Sequence, residues 1–192
     1  MSDRIQECLT QLSASIREKI HLRRVFQLET SGRIFHYCHN APPGEIPGLG
    51  KIASVVAVES AKREALSEST LQALLRARLG QSIAMHVAAM KPLYLSKESV
   101  DADHLSKEVE LLKTQAAEAG KPSNIVDRIV EGRLKKFYEE FCLMQQPFVM
   151  EEGVSVEKAL LNFGKEQGLL APITIAKFVR IQCGEGCGPS SE

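Results

Sequence analysis

Apolar residues recur at helical spacing in three stretches of the chain, and each stretch predicts an amphipathic helix. The first helix covers residues 3–20, the second residues 69–90, and a shorter third one lies near residues 155–167. The apolar stripe of the second stretch consists of Leu71, Leu75, Leu79, Ile83 and His86. We expect this second helix to cover a sheet.

Stretches rich in β-branched and aromatic residues predict four strands, at residues 22–29, 33–39, 51–59 and 173–182. A short Thr-Ser-Gly turn joins the first two, which favours an antiparallel meander. The loop at 40–50 contains three prolines and three glycines, so we expect it to be irregular and exposed. A phosphate-binding loop is the alternative there, but five residues separate its glycines where that motif has four.

Two narrow apolar stripes follow the second helix and are separated by the short sequence AGKPSN. The stripes are Leu105, Val109, Leu112, Ala116 and Ala119, then Val126, Val130, Leu134, Phe137 and Phe141. Their steps of three and four residues predict an antiparallel coiled-coil hairpin. The predicted fold class is α+β: a small antiparallel sheet layered with helices, plus a projecting coiled-coil hairpin. We expect one domain over residues 1–192, with the hairpin at 97–143 as an appendage and a flexible tail at 184–192.

The stretch QQPFVMEEG, residues 145–153, places three apolar side chains between a proline and two glutamates without a helical or strand period. Burial of each of these side chains contributes roughly 1.5–3 kcal/mol. Phe148, Val149 and Met150 therefore either pack inward or wait for a partner. Both interpretations stay open from the residues alone.

Composition narrows the class of partner. The 192 residues are 44% hydrophobic and have a net charge of zero, with 24 basic and 24 acidic side chains. This balance gives no electrostatic reason to expect nucleic acid or an acidic membrane, so we expect a protein partner. The five cysteines have irregular spacing, which favours a reducing compartment over a disulfide framework.

Candidate catalytic and metal-binding residues are sparse. On a strand, His36 and Cys38 would point to the face opposite His39, so these three side chains cannot easily converge on a metal ion. Cys183 and Cys187 lack a second pair of ligands. His86 lies on an apolar helix stripe, where a core histidine with satisfied hydrogen bonds is favoured over a general base. The sequence has no serine elbow, metal-binding helix or nucleotide fingerprint, so we expect neither a cofactor nor covalent chemistry.

Several strings, in this order and spacing, resemble translation elongation factor Ts, the nucleotide exchange factor for elongation factor Tu. They are IREKIHLRRVFQLE (16–29), SIAMHVAAMKPLYL (82–95), GKPSNIVDRIVEGRLKKFYEEFCLMQQPFVM (120–150) and KFVRIQCGEG (177–186). The resemblance implies the same α+β fold with a projecting hairpin. It also implies that the chain binds elongation factor Tu, GDP-bound or nucleotide-free, and speeds GDP release without bond chemistry.

The resemblance further implies partner-contacting positions at Ile16, His39, Val149 and Met150, with Phe148 in the same apolar trio. Two positions depart from the family: Arg17 and Asn40 stand where the family commonly has glycine. The chain also lacks the Thr-Asp-Phe string and N-terminal helical domain of the family and looks like a C-terminal half, so we expect weaker exchange. The alternative is a coiled-coil interaction scaffold that kept the fold and lost exchange. We expect the mitochondrial matrix as location, with a plastid or the bacterial cytoplasm as alternatives.

Overall fold

The computed structural model describes residues 3–42, 46, 48–61, 66–118, 123–169 and 171–185. Its elements are α1 (Asp3–Ile16), β1 (Arg33–His39), β2 (Ile52–Ser60), α2 (Glu68–Arg76), α3 (Leu79–Met90), α4 (Ala102–Glu118), α5 (Ser123–Phe141), α6 (Val156–Glu166) and β3 (Ile173–Gln182). Short 3₁₀ turns occupy Lys97–Ser99 and Leu143–Gln145. The fold is α+β, as the sequence predicts. Most of the predicted tail, from residue 186 onward, and part of the Pro-rich loop at 40–50 lie outside the described residues.

The sheet has three antiparallel strands in the order β1-β2-β3. Phe35 of β1 pairs with Val56 of β2, and Val56 pairs with Phe178 of β3. A bulge at Ala57/Val58 shifts the register between β2 and β3. Three of the four predicted strands are therefore confirmed, and the last one has the predicted bounds.

The predicted strand at 22–29 is wrong, because these residues are irregular and make no ladder with the sheet. Their apolar residues do not alternate strictly, and Val25 is 78% exposed. Side chains tie the segment at both ends: Arg24 donates to the carbonyl of Glu185, and Thr30 donates to the Glu59 carboxylate. Since Glu59 and Glu185 lie at opposite ends of the sheet, the segment runs along the sheet without joining it.

The core lies between one face of the sheet and α3 and α6. It is made of the buried side chains Phe35, Val56, Val58, Leu74, Leu79, Ile83, Ala84, Val87, Leu143, Phe148, Val156, Ala159, Leu160, Phe163, Ile173 and Ile175. Helix α3 approaches β1 so closely that a Cβ atom at Gly80 would lie 2.3 Å from the Phe35 ring. Ser54 of β2 donates to the carbonyl of Ala84 over 2.6 Å. The sheet therefore fixes the position of α3.

The predicted single helix at 69–90 is two helices. Helix α2 ends at Arg76, and the chain leaves helical geometry at Arg78, which has φ of 52°. Leu74 and Ile83 are both buried in the core, yet they are nine residues apart, about two and a half turns, and would face opposite sides of one straight helix. Burial of both side chains requires a break between them. In α2 the buried residue is Leu74, while Leu75 of the predicted stripe is 48% exposed.

Helix α1 is shorter than the predicted helix at 3–20, because Arg17 adopts a left-handed conformation with φ of 58° and ends it. No residue of α1 is buried. The Ser13 hydroxyl accepts a hydrogen bond from the backbone amide of Ile20 after the turn. The apolar face of this helix is thus exposed, with Ile16 at its end.

Helices α4 and α5 pack on each other, and among the described residues neither helix contributes to the core cluster. His104 contacts Phe137 near the start of α4, and Gln115 accepts from Arg133 further along it. Because the second contact moves forward on α4 and backward on α5, the helices are antiparallel. Coiled-coil packing between them stays a prediction. None of the helices in the described part of the chain is long and apolar enough to cross a membrane.

Candidate partner-binding site

The QQPFVMEEG stretch folds into a tight turn. Pro147 and Ser155 pair in an antiparallel bridge, and the Phe148 amide donates to the Val154 carbonyl over 2.7 Å. At the tip, the Glu151 amide donates to the Phe148 carbonyl over 3.1 Å, which closes a four-residue turn. Val149 and Met150 occupy the two central positions of this turn.

The three apolar side chains of this stretch divide into two groups. Phe148 is 6% exposed and belongs to the core, whereas Val149 and Met150 are 53% and 54% exposed. The inward packing is therefore confirmed for Phe148 alone, while the binding of a partner by Val149 and Met150 stays a prediction. The buried ring anchors the loop that presents the other two side chains.

His86 of α3 lies directly beneath the turn. It is 1% exposed, and its ring centroid lies 5.7 Å from that of Phe148. Its Nδ1 accepts from the Val149 amide over 3.3 Å, and its Nε2 lies 3.0 Å from Gln146 Oε1. Desolvation by burial lowers the pKa of His86 below its ordinary value of 6.5, although the hydrogen bond that His86 donates to Gln146 opposes this shift. The prediction of a core histidine with satisfied hydrogen bonds is confirmed.

Gln146 is the residue of this site that the sequence does not reveal. Its side chain is fully buried and donates to the carbonyls of Glu140 over 2.7 Å and Met90 over 3.4 Å. It therefore joins the ends of α5 and α3 to the turn. A periodic pattern of apolar residues does not reveal a buried amide side chain. The only feature of the nearby sequence that sets Gln146 apart is that it directly precedes Pro147.

The other two predicted contact residues lie elsewhere. Ile16 ends α1 and is 47% exposed. His39 ends β1, is exposed, and its Nδ1 lies 3.1 Å from the Tyr37 hydroxyl. Within the described part of the chain, the hydrogen bonds and ring contacts do not join either residue to the turn of Val149 and Met150.

Among the residues that the structure describes, the side chains that could suggest metal chemistry form no cluster. The described residues contain no group of three or more His, Cys, Asp or Glu that could hold a metal ion. Cys187 lies outside the described residues. Cys142 is buried at the end of α5, and burial raises the pKa of its thiol to about 11, so this thiol is protonated at neutral pH.

Arg17 and Asn40, the two departures from the pattern of elongation factor Ts, have positive φ angles of 58° and 54°. In this conformation the Cβ atom of an L residue lies too close to a backbone carbonyl oxygen, which costs free energy. Glycine has no Cβ atom and avoids this cost. A glycine at either position would adopt the same backbone conformation without that cost.

Sequence comparisons identify the family of the chain. The chain matches the model of the elongation factor TS family over residues 1–185. It is 39% identical to mitochondrial elongation factor Ts of Zea mays over 184 residues, which is 95% of this chain and 46% of that protein. It is 42% identical to elongation factor Ts of Paramagnetospirillum magneticum, over 95% of this chain and 54% of the relative. It is also 36% identical to elongation factor Ts of Syntrophotalea carbinolica, over 98% and 56%.

The structure defines an α+β domain that presents an exposed apolar turn on a packed core. Together with the match over nearly the whole chain, this places the chain in the elongation factor Ts family. The chain spans about half the length of the curated relatives that it matches. The plant relatives are named as mitochondrial proteins, whereas the names of the bacterial relatives give no compartment.

Proposed function

We propose that this chain binds elongation factor Tu, in its GDP-bound or nucleotide-free form, and promotes the release of GDP so that GTP can bind. One observation supports this most strongly: in a member of this family, Val149 and Met150 are exposed side by side on a turn anchored in the core. Methionine and apolar side chains of this kind are typical of the centres of protein interfaces.

In this proposal the turn of Val149 and Met150 is the main contact, and Ile16 and His39 supply further contacts. Ile16 is exposed at the end of α1, as a contact residue must be. Phe148 is buried, so its role is to hold the turn and not to touch the partner.

Exchange of this kind needs no covalent chemistry. If the chain binds the nucleotide-free partner more tightly than the GDP-bound partner, it must weaken GDP binding by the same factor. The chain therefore needs a docking surface and not a nucleophile or a general base. The pKa of His86 is lowered by burial, and both of its ring nitrogens are engaged within the protein.

We place this activity in the mitochondrial matrix, with the bacterial cytoplasm or a plastid as alternatives. Mitochondrial and bacterial relatives match the chain at similar identity, 39% and 42% for two of them.

The test is the release of a fluorescent GDP analogue from purified elongation factor Tu, with increasing concentrations of this chain. We expect the release rate to rise and then saturate, and each tenfold rise would correspond to about 1.36 kcal/mol of barrier lowering. A chain with Val149→Ala and Met150→Ala should require higher concentrations for the same rate. No acceleration at any concentration of the unaltered chain would contradict the exchange proposal.

A second function, an interaction scaffold that binds without exchange, is favoured by one observation: among the described residues, α4 and α5 stand outside the core cluster. A helix pair of this kind can present its outer faces to another protein. Binding of the chain to elongation factor Tu without faster GDP release would support this second function.

A further inference from the structure

The Val149 amide has an unusual partner for a residue at the tip of a turn. The turn is closed by the Glu151 amide and the Phe148 carbonyl, and this pattern leaves the amide of the second turn residue without a partner inside the turn. In an ordinary surface turn, that amide would donate a hydrogen bond to water. Here Val149 donates instead to Nδ1 of the buried His86, over 3.3 Å.

The hydrogen bonds around His86 fix the orientation of its ring. Gln146 must direct its amide nitrogen at the carbonyls of Glu140 and Met90, since carbonyls only accept. Its amide oxygen is then left facing Nε2 of His86 at 3.0 Å, so Nε2 carries the proton. Nδ1 of the neutral ring is therefore free to accept from Val149.

The same contacts attach the turn to the rest of the molecule. Gln146 binds the end of α3 through Met90 and the end of α5 through Glu140. Phe148 packs its ring beside His86 within the core. The exposed pair at the tip is thus held from below by a buried histidine, a buried amide and a buried aromatic ring.

We infer that His86 is a positioning residue for partner binding: fixed by Gln146, it holds the Val149 amide and so sets the direction in which Val149 and Met150 face elongation factor Tu. This inference rests on the proposed function. A turn that is ordered before binding loses less conformational freedom on association, so its affinity is higher. His86 itself does not touch the partner.

Two variants with side chains of nearly the same shape separate this role from general packing. In His86→Asn, the amide oxygen takes the place of Nδ1 and still accepts from Val149, whereas His86→Leu offers no acceptor. Both variants lose the hydrogen bond to Gln146. They differ in that Asn offers an acceptor to the Val149 amide and brings an NH₂ group into the buried site, whereas Leu does neither. Ile83→Val, in the core one turn earlier on α3, is the control for general loosening of the helix.

The first measurement is hydrogen exchange of the Val149 amide in the free chain, which does not depend on any partner. We expect protection to persist in His86→Asn and in Ile83→Val and to be lost in His86→Leu. Equal protection in the Asn and Leu variants would overturn the inference.

The second measurement is a titration of each folded variant against purified elongation factor Tu. We expect His86→Leu to bind roughly five- to tenfold more weakly than the unaltered chain, as the loss of one hydrogen bond implies, and His86→Asn to stay within about threefold. Equal weakening by the Asn and Leu variants would overturn the inference. If the unaltered chain does not bind at all, the proposed function fails, and the inference about binding fails with it, while hydrogen exchange still shows whether His86 holds the turn.

Discussion

Among the described residues, four that are not glycine adopt a left-handed backbone conformation: Arg17, Asn40, Arg78 and Lys91. Each of them ends or connects a regular element. Arg78 separates α2 from α3, and Asn40 follows β1. Asparagine tolerates this conformation better than arginine, because its short side chain can form local hydrogen bonds.

Substitution of Arg78 by glycine should therefore raise the free energy of unfolding by roughly 0.5–1 kcal/mol, and Asn40→Gly should raise it by less. Gln72→Gly, in the interior of α2, should lower it by a similar amount, because glycine is unfavourable within a helix. Urea denaturation of the three variants checks these signs. A loss of stability in Arg78→Gly would show that the arginine side chain contributes more than its backbone strain costs.

His86 gives the stability of the fold a defined pH dependence. Burial lowers the pKa of His86 in the folded chain, while the unfolded chain titrates near 6.5. Below about pH 6.5 the unfolded state binds more protons than the folded state, so the free energy of unfolding falls as the pH falls. The variant His86→Asn does not have this titration. The difference in unfolding free energy between the unaltered chain and His86→Asn should therefore shrink between about pH 7.5 and pH 5.5.

Urea denaturation at the two pH values measures this difference. All other side chains are the same in both proteins, so their contributions cancel in the comparison. A difference that stays constant or grows as the pH falls would mean that His86 is not held neutral by burial.

At the residue scale, the sequence predicts part of the site. The sequence singles out the three apolar residues, and the resemblance implies that Val149 and Met150 contact a partner. Only the structure shows that the Phe148 side chain is buried. Gln146 could not be predicted, because its role depends on Glu140 and Met90, which lie in the last turns of two different helices. A buried amide that joins distant carbonyls leaves no periodic signal in the sequence.

At the scale of elements, periodicity predicts those whose burial follows one regular face. Helix α6 buries Val156, Leu160 and Phe163 as predicted, and Ser155 caps it by accepting from the Lys158 amide. Apolar periodicity predicts the wrong element where tertiary packing changes the buried face along the chain, as between α2 and α3. It also fails at residues 22–29, where apolar composition suggests a strand but side-chain contacts hold the segment instead.

We expect that α4 and most of α5 can be removed without unfolding the rest of the chain. None of the described core residues comes from α4 or α5, whereas Leu143, just after α5, is fully buried in the core. The Leu143 and Met144 amides also donate to the carbonyls of Tyr94 and Leu95. An excision should therefore keep these two segments and replace residues 101–137 by a short Gly-Ser linker.

We expect the shortened chain to keep a cooperative thermal transition, because the excision leaves the core intact. Lys97 lies over the ring of Tyr138, with its Nζ 5.4 Å from the ring centroid, so a short linker can span the gap. Thermal unfolding followed by circular dichroism is the measurement. A broad transition without cooperativity would show that α4 and α5 contribute to the stability of the body, against the prediction of an appendage.

At the scale of the whole molecule, the chain combines a packed α+β body with exposed apolar side chains at a few places. Val149 and Met150 differ from scattered exposed residues such as Leu75 and Leu161, because they are adjacent and held on an anchored turn. Single exposed apolar residues are normal on protein surfaces. Two adjacent ones on an ordered turn are a better candidate for a protein-binding site. The central claim is that this turn docks elongation factor Tu.

The most direct test is a titration of purified elongation factor Tu with the double variant Val149→Ala and Met150→Ala, together with a thermal melt of the same protein. The control is Leu75→Ala with Leu161→Ala, whose side chains lie on α2 and α6 and are 48% and 47% exposed. We predict that the double variant at the turn loses about 2 kcal/mol or more of binding free energy, roughly thirtyfold in affinity, with little change in melting temperature. The control should bind as the unaltered chain does. Unchanged affinity of the turn variant, with a large drop in its melting temperature, would contradict the account and show that the turn serves the fold alone.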